Sequence, residues 1–414
     1  MEQSITSSNV VTETLEYNTI FRALCMTQQS ANRLLIHVTN IPTPYRISFC
    51  NALNEVLNAF GYGFHVLYCA EREANRYWTI SFNDMRYPHE VLPGISPQVG
   101  ALQAHFNPDV VQRLRQLNPE FLLTAGGWNM PTALLAASPT LCGPAFRIFW
   151  SEGHADAVLN PSGPIAWLRR KCLRAYDAFA VPNDSSAHFL EMELGFRSTI
   201  LPLPNTVDDD FFRVARSLDK VQVRQQLGLP LHANIFVSVT RLDDEKGVRE
   251  LVAAMSLLQT RAGNCVLVLV GEGALRKELQ AAIGNGEGDV RLVGQQDACG
   301  VRNYLAAADA FVLATKRDPN PLAVIEAAFA GVPLIVSSKA GNVKELVHDG
   351  HSGMIISTID SAAISALLAR FCQLSELERQ EMGNNAAQMA DAGFQRRKVA
   401  RHFVTALLAL RTTT

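Results

Sequence analysis

Residues 316–346 have the sequence "KRDPNPLAVIEAAFAGVPLIVSSKAGNVKEL", which indicates a loop, a helix and a buried strand in succession. Asn320 suits an N-cap and Pro321 the first helical turn, and the apolar run from Leu322 to Val332 predicts a buried helix. Glu326 lies inside that run, where an unpaired carboxylate costs several kcal/mol or more. Either an arginine from a neighbouring helix or the hydroxyl groups of a ligand must therefore satisfy Glu326.

Short apolar strands alternate with helical segments along most of the chain. The strands "RLLIHVT", "FHVLYCA", "FLLTAGG" and "FRIFWSE" occur before residue 200, and "NIFVSVT", "CVLVLVG", "AFVLAT" and "VPLIVS" after it. This alternation predicts an α/β fold with two Rossmann-like domains facing across a central cleft. We divide the chain into a polar extension (1–30), a first domain (31–200), a hinge (201–208), a second domain (209–385) and a C-terminal helix packing back toward the first domain (386–414).

Composition narrows the class of protein. The 414 residues are 48% hydrophobic and 18% charged, and the net charge of -2 argues against nucleic acid as the main partner and disfavours strong attraction to anionic membranes. The eight cysteines are scattered without metal-binding spacing. No run is apolar enough to span a membrane, and residues 1–30 do not resemble a signal peptide. We expect a cytoplasmic protein with reduced thiols.

Two cations follow the strand "NIFVSVT" in the second half. Arg241 comes directly after the strand and Lys246 precedes the next helix, so both are predicted at the same edge as the helix tip formed by Leu322 and Ala323. Free N–H groups of a helix tip and two cations suit a diphosphate. The alternative is local pairing of the two cations with acidic neighbours, namely Asp243, Asp244 and Glu245.

A glycine pair follows the strand "LVLVG". Gly271 and Gly273 indicate a tight turn from strand to helix, but Arg276 occupies the place where a dinucleotide-binding fingerprint has its third glycine. A nicotinamide-dependent dehydrogenase needs the full fingerprint, so this class is the weaker alternative.

Several motifs in fixed order resemble one family. "SVTRLDDEKGV", "LVLVGEGALRKEL", "VRLVGQQ", "DPNPLAVIEAAFAGVPLIVS" and "GNVKELVHDGHSG" are similar to the retaining, nucleotide-sugar-dependent glycosyltransferases of the GT-B fold (family 4-like, group 1), and "PLPNTVDDDFF" resembles their hinge. The resemblance implies that Glu326 holds the donor ribose and that Asp318 reaches the transferred sugar. It also implies a diphosphate site made by Arg241 and Lys246 beside Gly271 and the helix tip, whose first residues are Pro321, Leu322 and Ala323.

Two positions depart from that family's pattern. The first acidic residue of the pair is usually Glu, and the shorter Asp318 changes the contacts available to a sugar. Pro321 replaces a common glycine and removes one N–H group near the phosphates. Both departures leave the identity of the donor sugar open.

The first half resembles the family mainly in the order of its elements. Four candidate acceptor-side residues follow the ends of its strands: Arg46, Gly126, Gly127 and Trp128. Glu152 and His154 follow the strand "FRIFW", where the family usually has a His or Glu near the transferred sugar. The sequence does not decide between Glu152 and His154, and a solvated loop position is the alternative for both.

The implied reaction moves a sugar from a nucleoside diphosphate to an acceptor hydroxyl with retention of configuration, without a metal or another cofactor. The acceptor is a saccharide, a lipid-linked glycan or a small metabolite, and any membrane association is at most peripheral. A non-catalytic sugar-nucleotide-binding protein is the other alternative, because Asp318 replaces the usual Glu.

Overall fold

The computed structural model describes residues 33–73, 80–99, 102–153, 162–195, 199–262, 264–284 and 289–410. The polar extension predicted for residues 1–30 lies outside the described residues. Within them, the predicted alternation of strands and helices is confirmed, and the strands form two separate parallel sheets.

The first sheet has seven parallel strands in the order β3-β2-β1-β6-β7-β8-β9. A separate antiparallel pair, β4 and β5, lies outside it. The strands are β1 (Leu34–Thr39), β2 (Gly63–Tyr68), β3 (His89–Val91), β4 (Gln98–Val99), β5 (Leu102–Gln103), β6 (Phe121–Ala125), β7 (Phe146–Trp150), β8 (Ala178–Val181) and β9 (Thr199–Pro202).

The second sheet has six parallel strands in the order β12-β11-β10-β13-β14-β15. In both sheets the strand order reverses beside the first strand, which opens a crevice at the carboxyl edge. The strands are β10 (Asn234–Val239), β11 (Cys265–Val270), β12 (Asp289–Gly294), β13 (Ala310–Leu313), β14 (Leu334–Ser337) and β15 (Gly353–Ile356).

Helices connect the strands and cover both faces of each sheet, so most strand residues are buried and apolar. Among the described helices, none is both long and apolar enough to cross a membrane. The α-helices are Pro44–Ala59, Asp109–Leu117, Pro131–Ala136, Pro139–Cys142, Gly163–Leu173, Asp184–Leu194, Asp209–Arg213, Lys220–Gln226, Val248–Ala262, Arg276–Gly284, Ala298–Ala307, Leu322–Phe329, Val343–Leu346, Ser361–Cys372, Glu376–Gly393 and Arg396–Leu410.

The last two helices pack on different domains. Helix Glu376–Gly393 begins with a capping box and packs on the second domain, and the predicted limit at residue 385 lies inside it. Helix Arg396–Leu410 instead packs on helix Pro44–Ala59 of the first domain. Its residues Phe403 and Leu407 are fully buried in the apolar cluster of that domain.

The aspartates of the predicted hinge signature bind arginines near this crossing. Arg396 Nη1 lies 2.7 Å from both Asp208 Oδ1 and Asp209 Oδ1. Arg213 bonds to Asp209 at 2.9 Å and to Asp391 at 2.5 Å. The Arg396 pairs hold the start of the last helix, and the Arg213–Asp391 pair holds the end of the preceding helix, against residues 208–213.

Replacing Phe403 with alanine is expected to destabilise the protein by about 3–5 kcal/mol, because the change leaves a cavity in the core shared by the last helix and the first domain. Arg401→Ala on the exposed side of the same helix is the control. Urea unfolding monitored by circular dichroism measures both. Equal, small losses would mean that the last helix does not stabilise the first domain.

Candidate active site

Lys246 and Asp318 meet at the carboxyl edge of the second sheet. Lys246 closes the short 3₁₀ turn Asp244–Lys246 after β10, and Asp318 lies in the loop after β13. Lys246 Nζ is 2.5 Å from Asp318 Oδ2, and the two side chains are 11% and 16% exposed. The structure thus joins two residues that the sequence assigned to neighbouring parts of one ligand.

The local pairing considered for the two cations occurs only for Arg241. Arg241 Nη2 lies 3.1 Å from Asp243 Oδ2, and the Arg241 side chain is 71% exposed. Asp244 accepts from Lys316 at 3.1 Å, and Glu245 pairs with Arg317. Lys246 therefore turns away from its acidic sequence neighbours toward Asp318, while Arg241 pairs with Asp243 at the surface.

Two glycines allow the backbone segments to approach at this edge. Gly247 has a φ of 63°, and a Cβ there would lie 2.0 Å from the carbonyl oxygen of Ala314. Gly271 has a φ of 147°, and its Cβ would lie 1.9 Å from Thr240 O. Only glycine tolerates such contacts, so the predicted tight turn at Gly271 is a place where two strand ends touch.

Glu326 has no hydrogen bond or ion pair from its carboxylate to any described residue. The side chain is partly buried in the helix Leu322–Phe329, and burial raises the pKa of Glu326 to about 7. Two arginines reach the same helix but bind elsewhere: Arg216 Nε donates to Phe329 O at 2.7 Å, and Arg213 lies over the Phe329 ring. Within the described residues, pairing with an arginine from a neighbouring helix does not explain Glu326.

The helix tip differs from the prediction by one residue. Pro321, predicted in the first turn, is the N-cap with extended backbone, and the helix begins at Leu322. Asn320 was wrongly predicted as the cap. Asn320 takes part in the preceding loop instead, where its backbone N donates to Asp318 Oδ1 at 3.3 Å. Pro321 is held at the start of the helix by Asn342, whose Nδ2 donates to Pro321 O at 3.0 Å. The first N–H groups, at Leu322 and Ala323, still lack intrahelical acceptors.

On the first domain, Glu152 connects Arg46 with the hinge. Glu152 Oε1 accepts from Arg46 Nη2 at 3.1 Å and from Asn205 Nδ2 at 2.9 Å. The Arg46 guanidinium is buried 4.2 Å over the ring of Trp150, at the end of β7. His154, the other candidate for the role near the transferred sugar, lies outside the described residues.

The glycine turn after β6 is exposed. Gly126 has a φ of 114°, and a Cβ there would lie 2.4 Å from Asn40 Oδ1, so the loops after β1 and β6 touch at this point. Gly127 is also exposed. Trp128 packs against the apolar cluster formed around Phe149. The first two positions leave room for a ligand, whereas Trp128 mainly supports the loop.

Two asparagines at the cleft were not predicted. Asn183 caps the helix after β8 and donates from Nδ2 to Pro319 O at 3.2 Å, which joins the first domain to the loop that carries Asp318. Asn205 holds Glu152, as described above. Both follow the end of a strand in the first sheet, and this position in the sequence could have identified them as cleft residues.

Comparison with known proteins identifies a family for the second domain. Residues 219–389 match the family model described as glycosyl transferases group 1. The chain is 32% identical to the amylovoran biosynthesis glycosyltransferase AmsK of Erwinia amylovora over 37% of this chain and 39% of that protein. It is 30% identical to the putative teichuronic acid biosynthesis glycosyltransferase TuaC of Bacillus subtilis over 60% of this chain and 66% of that protein. These alignments span less than two thirds of either relative.

The fold has close counterparts among solved structures. Anabaena Alr3699/HepE in complex with UDP and glucose superposes with a TM-score of 0.70 at 17% identity, covering 91% of this chain and all of that one. The lipopolysaccharide-biosynthesis glycosyltransferase WaaG superposes with a TM-score of 0.63 at 15% identity, covering 88% of this chain and 98% of that one.

Two Rossmann-like domains with their carboxyl edges at a common cleft define the GT-B fold. The sequence of the protein's second domain, over residues 219–389, is that of the group 1 glycosyltransferases. The family resemblance found in the sequence is thereby confirmed.

Glu326→Gln is expected to stabilise the unliganded protein at pH 8 and to leave it nearly unchanged at pH 5. Burial raises the pKa of folded Glu326 to about 7 from the ordinary 4.5. The folded state therefore binds this proton more tightly than the unfolded chain, and the wild type loses up to about 3 kcal/mol as the pH rises through this window. Urea unfolding of both proteins at the two pH values measures the difference. A variant less stable at both would indicate a lost salt bridge.

Proposed function

We propose that this protein transfers a sugar from a nucleoside-diphosphate sugar to an acceptor hydroxyl, with retention of anomeric configuration and without a metal. The Glu326 carboxylate, which no described residue pairs and which lies just inside the tip of the helix that follows the Asp318 loop, carries this proposal. A desolvated carboxylate needs donors, and a ribose supplies two hydroxyl groups. A diphosphate needs cations and N–H groups, which the same edge of the sheet presents.

The donor is assigned along this edge. Glu326 accepts hydrogen bonds from the ribose hydroxyls, and the N–H groups of Leu322 and Ala323 face the diphosphate. Lys246 and Arg241 neutralise the phosphate oxygens, beside the close backbone approach at Gly271. Asp318, released from Lys246 when the phosphates bind that ammonium, accepts from hydroxyls of the transferred sugar.

The reaction breaks the bond between the anomeric carbon and the diphosphate oxygen and forms a bond to the acceptor oxygen on the same face. The acceptor's proton passes to the departing diphosphate, so charge balances without a protein base. Because negative charge develops on the leaving group, the fixed positive charges of Arg241 and Lys246 stabilise the transition state more than the ground state. In this proposal these two cations supply the charge that a metal supplies elsewhere.

The acceptor is assigned to the first-domain side of the cleft. Gly126 and Gly127 leave space at the ends of the strands, and Arg46 is held there by Glu152. Because Glu152 already binds Arg46 and Asn205, we assign His154 rather than Glu152 to the position near the transferred sugar. Glu152 is then a positioning residue that links this site to the hinge.

Relatives suggest the classes of donor and acceptor. The Anabaena structure contains UDP and glucose, and a Corynebacterium glutamicum relative, 25% identical over 70% of this chain, is named as a GDP-mannose-dependent mannosyltransferase acting on a phosphatidylinositol monomannoside. Since these two names differ in both base and sugar, we propose the donor only as a nucleoside-diphosphate sugar.

Glu326→Gln is expected to weaken binding of the free nucleoside diphosphate by about tenfold or more, because hydrogen bonds to a charged group contribute ~1.5–3 kcal/mol. Asp318→Asn should spare the free nucleotide and weaken only the intact nucleotide sugar. Calorimetric titration of both variants with UDP, GDP and their sugars measures this difference. Unchanged affinity in a destabilised Glu326→Gln protein would overturn the assignment of the ribose site.

Arg241→Ala and Lys246→Ala are each expected to lower the rate of transfer by about tenfold to a hundredfold while the fold is retained. Lys277→Ala, an exposed lysine of helix Arg276–Gly284, is the matched control. Slow hydrolysis of a panel of nucleotide sugars gives the assay, repeated with a chelator. Full activity in both variants, or strict dependence on Mg²⁺ or Mn²⁺, would contradict the proposed metal-free mechanism. Binding of a sugar nucleotide without turnover would favour the non-catalytic alternative.

A further inference from the structure

The helix Gly163–Leu173 of the first domain exposes most of its large apolar side chains to solvent. Its buried positions are Ala166, Arg169 and Leu173, with exposed fractions of 1%, 5% and 2%. Arg169 Nη2 donates to both carboxylate oxygens of Glu193, at 2.9 and 2.8 Å, which fixes the helix to its neighbour Asp184–Leu194. The helix thus turns a small residue, a leucine and a paired arginine toward the protein.

The large apolar residues of this helix face solvent instead. Ile165 is 47% exposed, Trp167 62% and Leu168 46%. A surface helix normally buries its large apolar side chains against the core. Ile165 and Leu168 are three residues apart and lie on the same side of the helix, and a cluster of exposed large apolar side chains is a candidate interaction surface.

Basic residues continue the same exposed face. Arg170, Lys171 and Arg174 are exposed, and Lys171 Nζ lies 5.3 Å from the centre of the Trp167 ring. No acidic residue occurs between residues 162 and 176. Glu193, on the neighbouring helix, is shared by Arg169 and Arg170. We call the exposed set the apolar–basic patch: Ile165, Trp167, Leu168, Arg170, Lys171 and Arg174. The patch is locally cationic although the whole chain has a net charge of -2.

The residue types of the patch favour an anionic membrane over a second copy of the chain as its binding partner. A second copy of the chain, related by a twofold axis, would bring the basic residues of one patch against those of the other. The central parts of protein interfaces are depleted in lysine. In contrast, tryptophan is enriched at the boundary between lipid and water, and helices with Lys/Arg beside Trp and Leu lie in the plane of anionic membranes.

We propose that the apolar–basic patch docks the first domain onto an anionic lipid bilayer, with Trp167, Leu168 and Ile165 entering the headgroup region and the three cations facing lipid phosphates. Helix Gly163–Leu173 connects β7 to the parallel strand β8, so it starts from the carboxyl edge of the sheet. Glu152 and Asn183 follow the ends of β7 and β8 at that same edge. The proposal concerns this surface alone and does not depend on sugar transfer.

Co-sedimentation with vesicles tests the proposal. We expect binding to vesicles of equal parts phosphatidylcholine and phosphatidylglycerol, little binding to phosphatidylcholine alone, and release as salt is raised. The double variants Trp167→Gln/Leu168→Gln and Arg170→Gln/Lys171→Gln should each bind about tenfold more weakly. Leu377→Gln is the matched control, since Leu377 is 64% exposed on a helix of the second domain and carries no role in docking.

Three results would overturn the proposal. They are no binding of the wild type to the anionic vesicles, equal binding by the patch variants and the wild type, or an equal loss in Leu377→Gln. A dimer in sedimentation velocity that disappears in Trp167→Gln/Leu168→Gln would assign the patch to a second copy instead. Melting curves and nucleotide affinity, both measured without lipid, establish that the variants fold and separate a failure of docking from a failure of the donor site.

Discussion

Parallel strands impose the arrangement on which the rest of this protein depends. A parallel neighbour can be reached only by a crossover that carries the chain back along the sheet, here mostly through helices. All carboxyl ends of a sheet therefore gather at one edge, and the loops that leave them become neighbours however far apart they are in sequence. Lys246 and Asp318, 72 residues apart, make their 2.5 Å contact because β10 and β13 are adjacent in the second sheet.

Most charged groups that the structure describes near that edge are paired with an opposite charge, but one is not. Asp244 and Glu245 are paired with Lys316 and Arg317, and Lys246 is paired with Asp318. Glu326 alone among these groups lacks a protein partner within the described residues, and burial raises its pKa to about 7. A carboxylate without hydrogen-bond donors lowers the stability of the free protein. A ligand that supplies those donors removes this cost, which favours its binding.

Contacts around the cleft connect the carboxyl edge of the second sheet to the first domain. Asn183 reaches Pro319 from the first sheet, and Asn205 of the hinge holds Glu152, which holds Arg46. The last helix returns to the first domain and is tied to the hinge aspartates through Arg396. The loop that carries Asp318 is therefore tied to the first domain by a hydrogen bond that depends on the angle between the domains.

Sequence alone determined the fold class and the candidate donor residues, because periodicity, glycine positions and ordered motifs are local signals. Tertiary structure decided what depends on distant partners. It showed that Lys246 pairs with Asp318 rather than with its acidic neighbours, that the described residues offer Glu326 no arginine, and that Pro321 rather than Asn320 is the N-cap, since Asn342 from another loop holds Pro321. The exposure of Trp167 was equally hidden, because helical periodicity alone does not reveal which face of a helix meets the core.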